Sequence, residues 1–198
     1  MISHSKKFIF IHLPKTAGTS IDDVLKKHSA NFSKKYIHHT IEMVGDEIGK
    51  HKLSEFYKFA IVRNPWDRMV SQFHFRRDHM NWIPKSMSFD YWVKNLDRFG
   101  NFPGPWKITK RLLTTNQTNW LVVDGRLCMD YVGKFEELEK SWEIIAAAIG
   151  VENYPLSKKM ITVHKPYQEY YTEETKEIIA NRFSEDLGYF GYTFDGER

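Results

Sequence analysis

The sequence predicts an α/β fold built on a largely parallel sheet of four to five strands with helices on both faces. Three observations carry this prediction. Short apolar runs alternate with helix-period segments through the first part of the chain. The strongest run, FYKFAIV at 56–62, is apolar nearly throughout, as expected of a parallel strand covered on both sides. Strand candidates also end in Pro-containing polar turns that lead into helices, the pattern of right-handed β-to-α connections.

The elements follow in order. Residues 8–11 (FIFI) read as a buried strand that ends in the turn HLPKTAGTS. Residues 19–28 read as a helix with Ile21, Val24 and Leu25 inward, and Thr19 or Ser20 could serve as its N-cap. A second short strand is expected at 36–38. A helix follows over 40–48, with Ile41, Val44 and Ile48 at helical spacing. The strand at 56–62 is stopped by Arg63-Asn64-Pro65, and Pro65 suits the first position of the next helix. Residues 78–127 interleave aromatics with Pro and Gly, which predicts short helices and a long functional loop. DYVGKF at 130–135 reads as a further core strand, and 138–149 as an amphipathic helix stopped by Gly150. The last long helix is expected over 172–183, with an aromatic tail packing back on the body.

Composition narrows the function. At 198 residues, with 41% hydrophobic and 27% charged content, the chain is expected to form one domain, 1–198. One cysteine, Cys128, excludes an intrachain disulfide and a multi-Cys metal cluster. No apolar stretch is long enough to span a bilayer. The opening MISHSKKFIF reads as a strand and not as a leader, so a cytoplasmic location is expected. The net charge of +4 invites an anionic partner. Its basic residues are scattered and no nucleic-acid motif appears, so a small polyanion explains the charge at least as well as nucleic acid.

Two segments could hold such an anion. In PKTAGTS, Gly18 is expected to let the backbone turn tightly, so that amides of Thr16, Ala17, Gly18, Thr19 and Ser20 converge. Lys15 adds a charge, and Thr19 and Ser20 add hydroxyls. The segment lacks the Gly-Lys-Ser/Thr ending of a Walker A loop. In RNPWDRMVS, Arg63 stands at the carboxyl end of a buried strand, where open α/β sheets bind ligands. Ser71 lies roughly 9 Å along the following helix if that helix begins at Pro65. Each segment alone also has a purely structural reading: an ordinary strand-to-helix turn, or an Arg63–Asp67 pair with a tolerated helix serine.

Taken together, the two segments resemble the cofactor motifs of sulfotransferases that use 3′-phosphoadenosine 5′-phosphosulfate (PAPS). PKTAGTS resembles the 5′-phosphosulfate loop and RNPWDRMVS the 3′-phosphate motif. The likeness continues in order through His38-His39-Thr40, Gln117, VGKFEEL at 132–138 and the tail from YYTEETKEII onward. It covers nearly the whole chain and points to the carbohydrate-type branch, in a compact form like bacterial or viral members. The chain departs from the branch acting on phenols and steroids. Ile21 stands where that branch has a tryptophan stacking on adenine, and its C-terminal Arg-Lys-Gly is missing. His164, Lys165 and Tyr167 fall where a late cofactor loop could lie.

The resemblance implies a P-loop-NTPase-like three-layer α/β/α fold and in-line sulfuryl transfer without a metal. Lys15 would stabilise the departing oxygen, and Arg63 and Ser71 would hold the 3′-phosphate, leaving 3′-phosphoadenosine 5′-phosphate as product. A histidine would serve as base: His39 is placed first because it directly precedes Thr40, with His38 and His12 as rivals. The acceptor would be a hydroxyl, on a glycan in this branch, with Trp82, Trp92, Phe102 and Trp106 able to floor a sugar cleft or to fill the core. Two other readings compete. A small-molecule or nucleoside kinase would need ATP and magnesium, and a noncatalytic protein would only bind the nucleotide.

Overall fold

The computed structural model describes residues 1–28, 38–99, 115–157 and 164–197. In chain order the main elements are β1 (Ile2–Ser3), β2 (Phe8–Ile11), α1 (Gly18–Leu25), α2 (Ile41–Ile48) and β3 (Tyr57–Val62). They continue with α3 (Pro65–His74), α4 (Phe89–Lys94), β4 (Tyr131–Lys134), α5 (Leu138–Ile149), α6 (Glu173–Arg182) and α7 (Ser184–Phe190). They group into two compact units, one from Met1–Arg63 and Gln117–Met160, the other from Asn64–Asn116 and Ile161–Arg198.

The first unit holds the sheet, in strand order β1-β2-β3-β4. β2, β3 and β4 run parallel, with Phe10 opposite Phe59 and Ile61 opposite Gly133. β1 pairs antiparallel on the edge of β2, Ile2 opposite Ile9. The sequence gives no strand signal for so short a segment. All four residues of β2 are buried, so both faces of this strand are covered. Phe8 and Phe10 of β2, with Phe59 and Ile61 of β3, alternate onto one face. There they pack with Ile21, Val24 and Leu25 of α1 and Trp142, Ile145 and Ile149 of α5.

Local signals explain most boundaries. Thr40 caps α2, its side chain accepting from the Met43 amide at 3.2 Å. Gly150 ends α5 in the left-handed region at φ 63°, as expected of a glycine after the last helical residue. The helix read over 19–28 is shorter: α1 ends at Leu25 and a 3₁₀ turn, Lys26–His28, follows. Of the strand expected at 36–38, positions 36 and 37 lie outside the described residues. His38 is in a turn at φ 64° and not in a strand.

The second unit is helical and aromatic. α3 begins at Pro65, and the Asn64 side chain accepts from the Trp66 amide at 3.1 Å. α6 opens with a reciprocal capping box between Thr172 and Thr175. Its core joins Trp66, Phe73, Phe89 and Trp92 to Ile179 and Phe183. The tail packs back in part: Phe194 meets Trp66, Tyr167 and Tyr171 edge-on, while Tyr189 is half exposed. Among the described residues no helix is long and apolar enough to cross a membrane.

Candidate functional site: an anion cradle with an imidazole–carboxylate pair

β2 delivers the chain into residues 12–17, and two of these hold the left-handed conformation: Lys15 at φ 68° and Ala17 at φ 64°. Neither is glycine, so each conformation carries a strain of about 1–2 kcal/mol that the surrounding structure must sustain. Such backbone turns amides into a common concavity. The Thr16 hydroxyl donates to the Leu13 carbonyl at 3.0 Å and braces the turn from inside. Ala17 occupies the N-cap position of α1, and no side chain caps the helix. Thr19 and Ser20 therefore do not cap it. The Ser20 amide is already committed to the Ala17 carbonyl at 2.9 Å. The first amides of the helix, on Gly18 and Thr19, have no intrahelical acceptor and carry the positive end of the helix dipole.

Gly18 plays a different part from the one the sequence suggested. The tight turn is made by Lys15 and Ala17, and Gly18 has no positive φ. It is glycine because the His12 imidazole lies directly on it. A β-carbon there would fall 2.1 Å from His12 Cδ2 and 2.2 Å from Nε2. The other edge of the ring meets a carboxylate, with Nδ1 of His12 and Oδ2 of Asp22 2.8 Å apart. Gly18 and Asp22 are four residues apart on α1, hence on one face of the helix. The ring is also held by Phe10, stacked at 5.7 Å, and by His38, edge-on at 4.8 Å.

Two cations complete the cradle. Burial pulls the Lys15 ammonium down to about 8, and the nearby Arg63 guanidinium acts in the same direction. Arg63, at the end of β3, donates from Nη1 to the Lys15 carbonyl at 3.2 Å and lies 4.1 Å over the Phe135 ring. Its backbone is pinned by Gln117, which is fully buried. Gln117 Oε1 accepts from the Arg63 amide, and Nε2 donates to the Arg63 carbonyl, both at 2.9 Å. Gln117 belongs to the sequence pattern, but nothing in the sequence indicates that it clamps Arg63. Asp22 was missed altogether; its one signal is a carboxylate on the apolar face of a helix.

The three candidate bases differ in setting. His38 Nδ1 donates to the His12 carbonyl at 3.0 Å, and burial pushes this imidazole down to about 4, so it is neutral at pH 7. His39 is buried, at 9% exposure, immediately before the α2 cap. His12 is bonded through Nδ1 to the Asp22 carboxylate.

The remaining predicted residues lie in the second unit. Ser71 is buried on α3. Tyr167 donates its hydroxyl to the Phe194 carbonyl and packs edge-on against that ring, an anchoring role. His164 stacks on His74 at 5.4 Å, and Lys165 is paired with Glu169. Trp92 is fully buried in the aromatic core, which removes it from any cleft floor; Trp82 is half-buried. Phe102 and Trp106 lie outside the described residues.

A strand, an uncapped helix and two facing cations are a common solution for phosphate-like groups, and the chain-wide pattern decides between families. The model of the sulfotransferase family matches residues 1–193. The chain belongs to the sulfotransferase family. As a sulfotransferase it is an enzyme that transfers sulfuryl groups, which sets aside the kinase reading. No curated protein and no solved structure matches the chain. Among the described residues of this sulfotransferase, no group of three or more His, Cys, Asp or Glu could hold a metal ion.

Proposed function

We propose that this sulfotransferase moves the sulfuryl group of PAPS to a carbohydrate hydroxyl, with His12 as the base. The observation that carries the proposal is that Arg63 bonds the Lys15 backbone and lies near its ammonium, in the loop that leads into the uncapped start of α1 in the first unit. These residues fit a phosphosulfate. The amides of Gly18 and Thr19 suit its oxygens, and two cations that repel each other when the cradle is empty are relieved by an anion.

PAPS supplies an activated sulfuryl group on a phosphate leaving group. Lys15 stands to neutralise the charge that grows on the bridging oxygen, and it is protonated below pH 8. Arg63 would take the 3′-phosphate, in keeping with its place at the end of β3; Ser71 keeps the same assignment as an expectation of the motif. His12 would accept the acceptor proton at Nε2. Sequence order favours His39, but the carboxylate on His12 and its seat on Gly18 at the mouth of the loop favour His12.

Incubation of the protein with ³⁵S-labelled PAPS, chondroitin or de-O-sulfated heparin, and EDTA tests this directly. Label on the glycan with release of 3′-phosphoadenosine 5′-phosphate is the expected result. Failure to consume PAPS with any hydroxyl acceptor, or a strict requirement for a divalent metal, would refute the proposal.

A further inference from the structure

Asp22 is an unusual residue for its position. It is 8% exposed on a helix whose same side carries Ile21, Val24 and Leu25 to the core. A carboxylate taken out of water there is costly unless it is paired. Among the described residues, its one side-chain hydrogen bond is to His12 Nδ1. The four-residue spacing to Gly18 makes one face of α1 a seat for the ring: Gly18 gives room under the Nε2 edge and Asp22 grips the Nδ1 edge. Phe10 and His38 close the two remaining sides. Gly18, Asp22, Phe10 and His38 thus fix the imidazole in place, with its Nε2 edge against the start of α1.

We propose that Asp22 is a positioning residue for sulfuryl transfer, holding His12 in the tautomer whose Nε2 is unprotonated and aimed at the phosphosulfate loop. The inference rests on the reading of His12 as base. A carboxylate can only accept, so it selects the Nδ1–H form of a neutral ring. In the transfer step the acceptor oxygen forms a bond to sulfur while its proton passes to His12 Nε2. The bond from sulfur to the bridging phosphate oxygen breaks, and its electron pair stays on that oxygen beside Lys15. His12 becomes an imidazolium, whose charge Asp22 offsets, and it later returns the proton to water.

The titratable groups around the ring fit this role. Asp22 faces it from α1 and His38 from the turn before α2. The Met1 amino group lies close by, donating to the Phe10 carbonyl on the same sheet. Burial lowers both His38, to about 4, and the Met1 amine, to about 5, so neither adds a positive charge beside the imidazolium at pH 7.

The test uses Asp22→Asn in the full chain, with the labelled-PAPS assay and adenosine 3′,5′-bisphosphate titration. The expected kcat loss is on the order of 10²-fold or more, the scale of general-base contributions, with bisphosphate affinity unchanged within about twofold. The acid limb of the kcat profile should also move to lower pH, because removing a negative charge makes His12 easier to deprotonate. A merely structural Asp22 would lower the folded fraction without moving that limb. In the wild-type protein, ¹⁵N spectra on the basic side of the His12 titration should show the proton on Nδ1. This measurement needs no variant to fold. Wild-type kcat in Asp22→Asn, an unmoved acid limb, or a proton on Nε2 would overturn the positioning role alone. A wild-type protein that binds no bisphosphate and transfers no label would overturn the transfer reading and this role with it.

Discussion

Each unit contains a histidine bonded to an aspartate, and the two pairs are built for opposite ends. In the first unit, His12 and Asp22 form a closed couple at 2.8 Å, and the Nε2 edge of the ring lies on Gly18 with no hydrogen bond among the described residues. In the second, His74 Nδ1 meets Asp78 at 3.0 Å, but its Nε2 is already bonded to the Tyr170 hydroxyl at 3.0 Å. Asp78 is shared further with Arg77 and Lys85, and the Arg77 hydrogen bonds hold its carboxyl well below the usual carboxylate range. Burial lowers the His74 imidazole, so it sits neutral among satisfied partners. In the proposed reading the first pair leaves Nε2 for a reacting group; the second ties α3 to the segment carrying Tyr170. The bond between histidine and aspartate does not by itself make a catalytic base. The state of the second nitrogen decides.

The comparison breaks most sharply by truncation. His12→Ala should lower transfer by about 10²–10⁴-fold, the range of a lost general base, while leaving bisphosphate binding intact. His74→Ala should keep kcat within about threefold and instead destabilise the fold by about 1–3 kcal/mol, the cost of orphaning buried hydrogen-bonding groups. Thermal melts beside the labelled-PAPS assay separate the two outcomes, and an exchange of these phenotypes would reverse the assignment.

Lys15→Ala comes next. It should cost about 10²–10³-fold in kcat, and unlike His12→Ala it should also weaken bisphosphate binding about tenfold or more. Calorimetric titration beside turnover shows whether both fall together.

Gly18→Ala sharpens the geometry of the first pair. Its β-carbon would strike the His12 ring at 2.1 Å, so either the ring leaves its seat or α1 shifts. About 1–3 kcal/mol of stability should be lost, with a drop in kcat exceeding the drop in bisphosphate affinity. Unchanged turnover would show that the seat on Gly18 is dispensable.

The smallest effect is a pH dependence. Lys15 is held at about 8 in the folded protein against 10.5 for an ordinary lysine. Bisphosphate affinity should therefore be constant on the acid side of pH 8 and fall, by up to about tenfold per pH unit, as Lys15 loses its proton. The lowered value also means that the charged ammonium opposes folding at neutral pH; this penalty fades as pH rises from 8 to 10.5. Calorimetry in buffers of different ionisation enthalpy would detect proton uptake on binding near pH 8; its absence would show that Lys15 does not contact the anion.

Much of this arrangement was legible in the sequence because it depends on local patterns. The strand at 57–62, the start of α3 at Pro65 and the whole of α5 follow from apolar runs and from the backbone limits of proline and glycine. The parallel order of β2, β3 and β4 follows from helices inserted between strands. What escaped depends on tertiary contact. β1 is two residues long and becomes a strand only by pairing with β2. Lys15 and Ala17 adopt left-handed backbone that propensity assigns to Gly18, because the packing of His12 on Gly18 fixes the turn elsewhere. Asp22 and Gln117 act through atoms of residues ten and fifty-four positions away, which no periodicity records. Trp92 shows the converse: an aromatic in a loop-rich region proved to be core, since burial is a property of the assembled unit.

The central claim is that the first unit binds a phosphosulfate nucleotide through Lys15, Arg63 and the open start of α1, without a metal. Titration of the protein with adenosine 3′,5′-bisphosphate in EDTA, by calorimetry, tests it most directly. The account predicts one saturable site, weakened strongly by Arg63→Gln and far less so for a nucleotide lacking the 3′-phosphate. No binding in EDTA, or binding that appears only for ATP with magnesium, would contradict it.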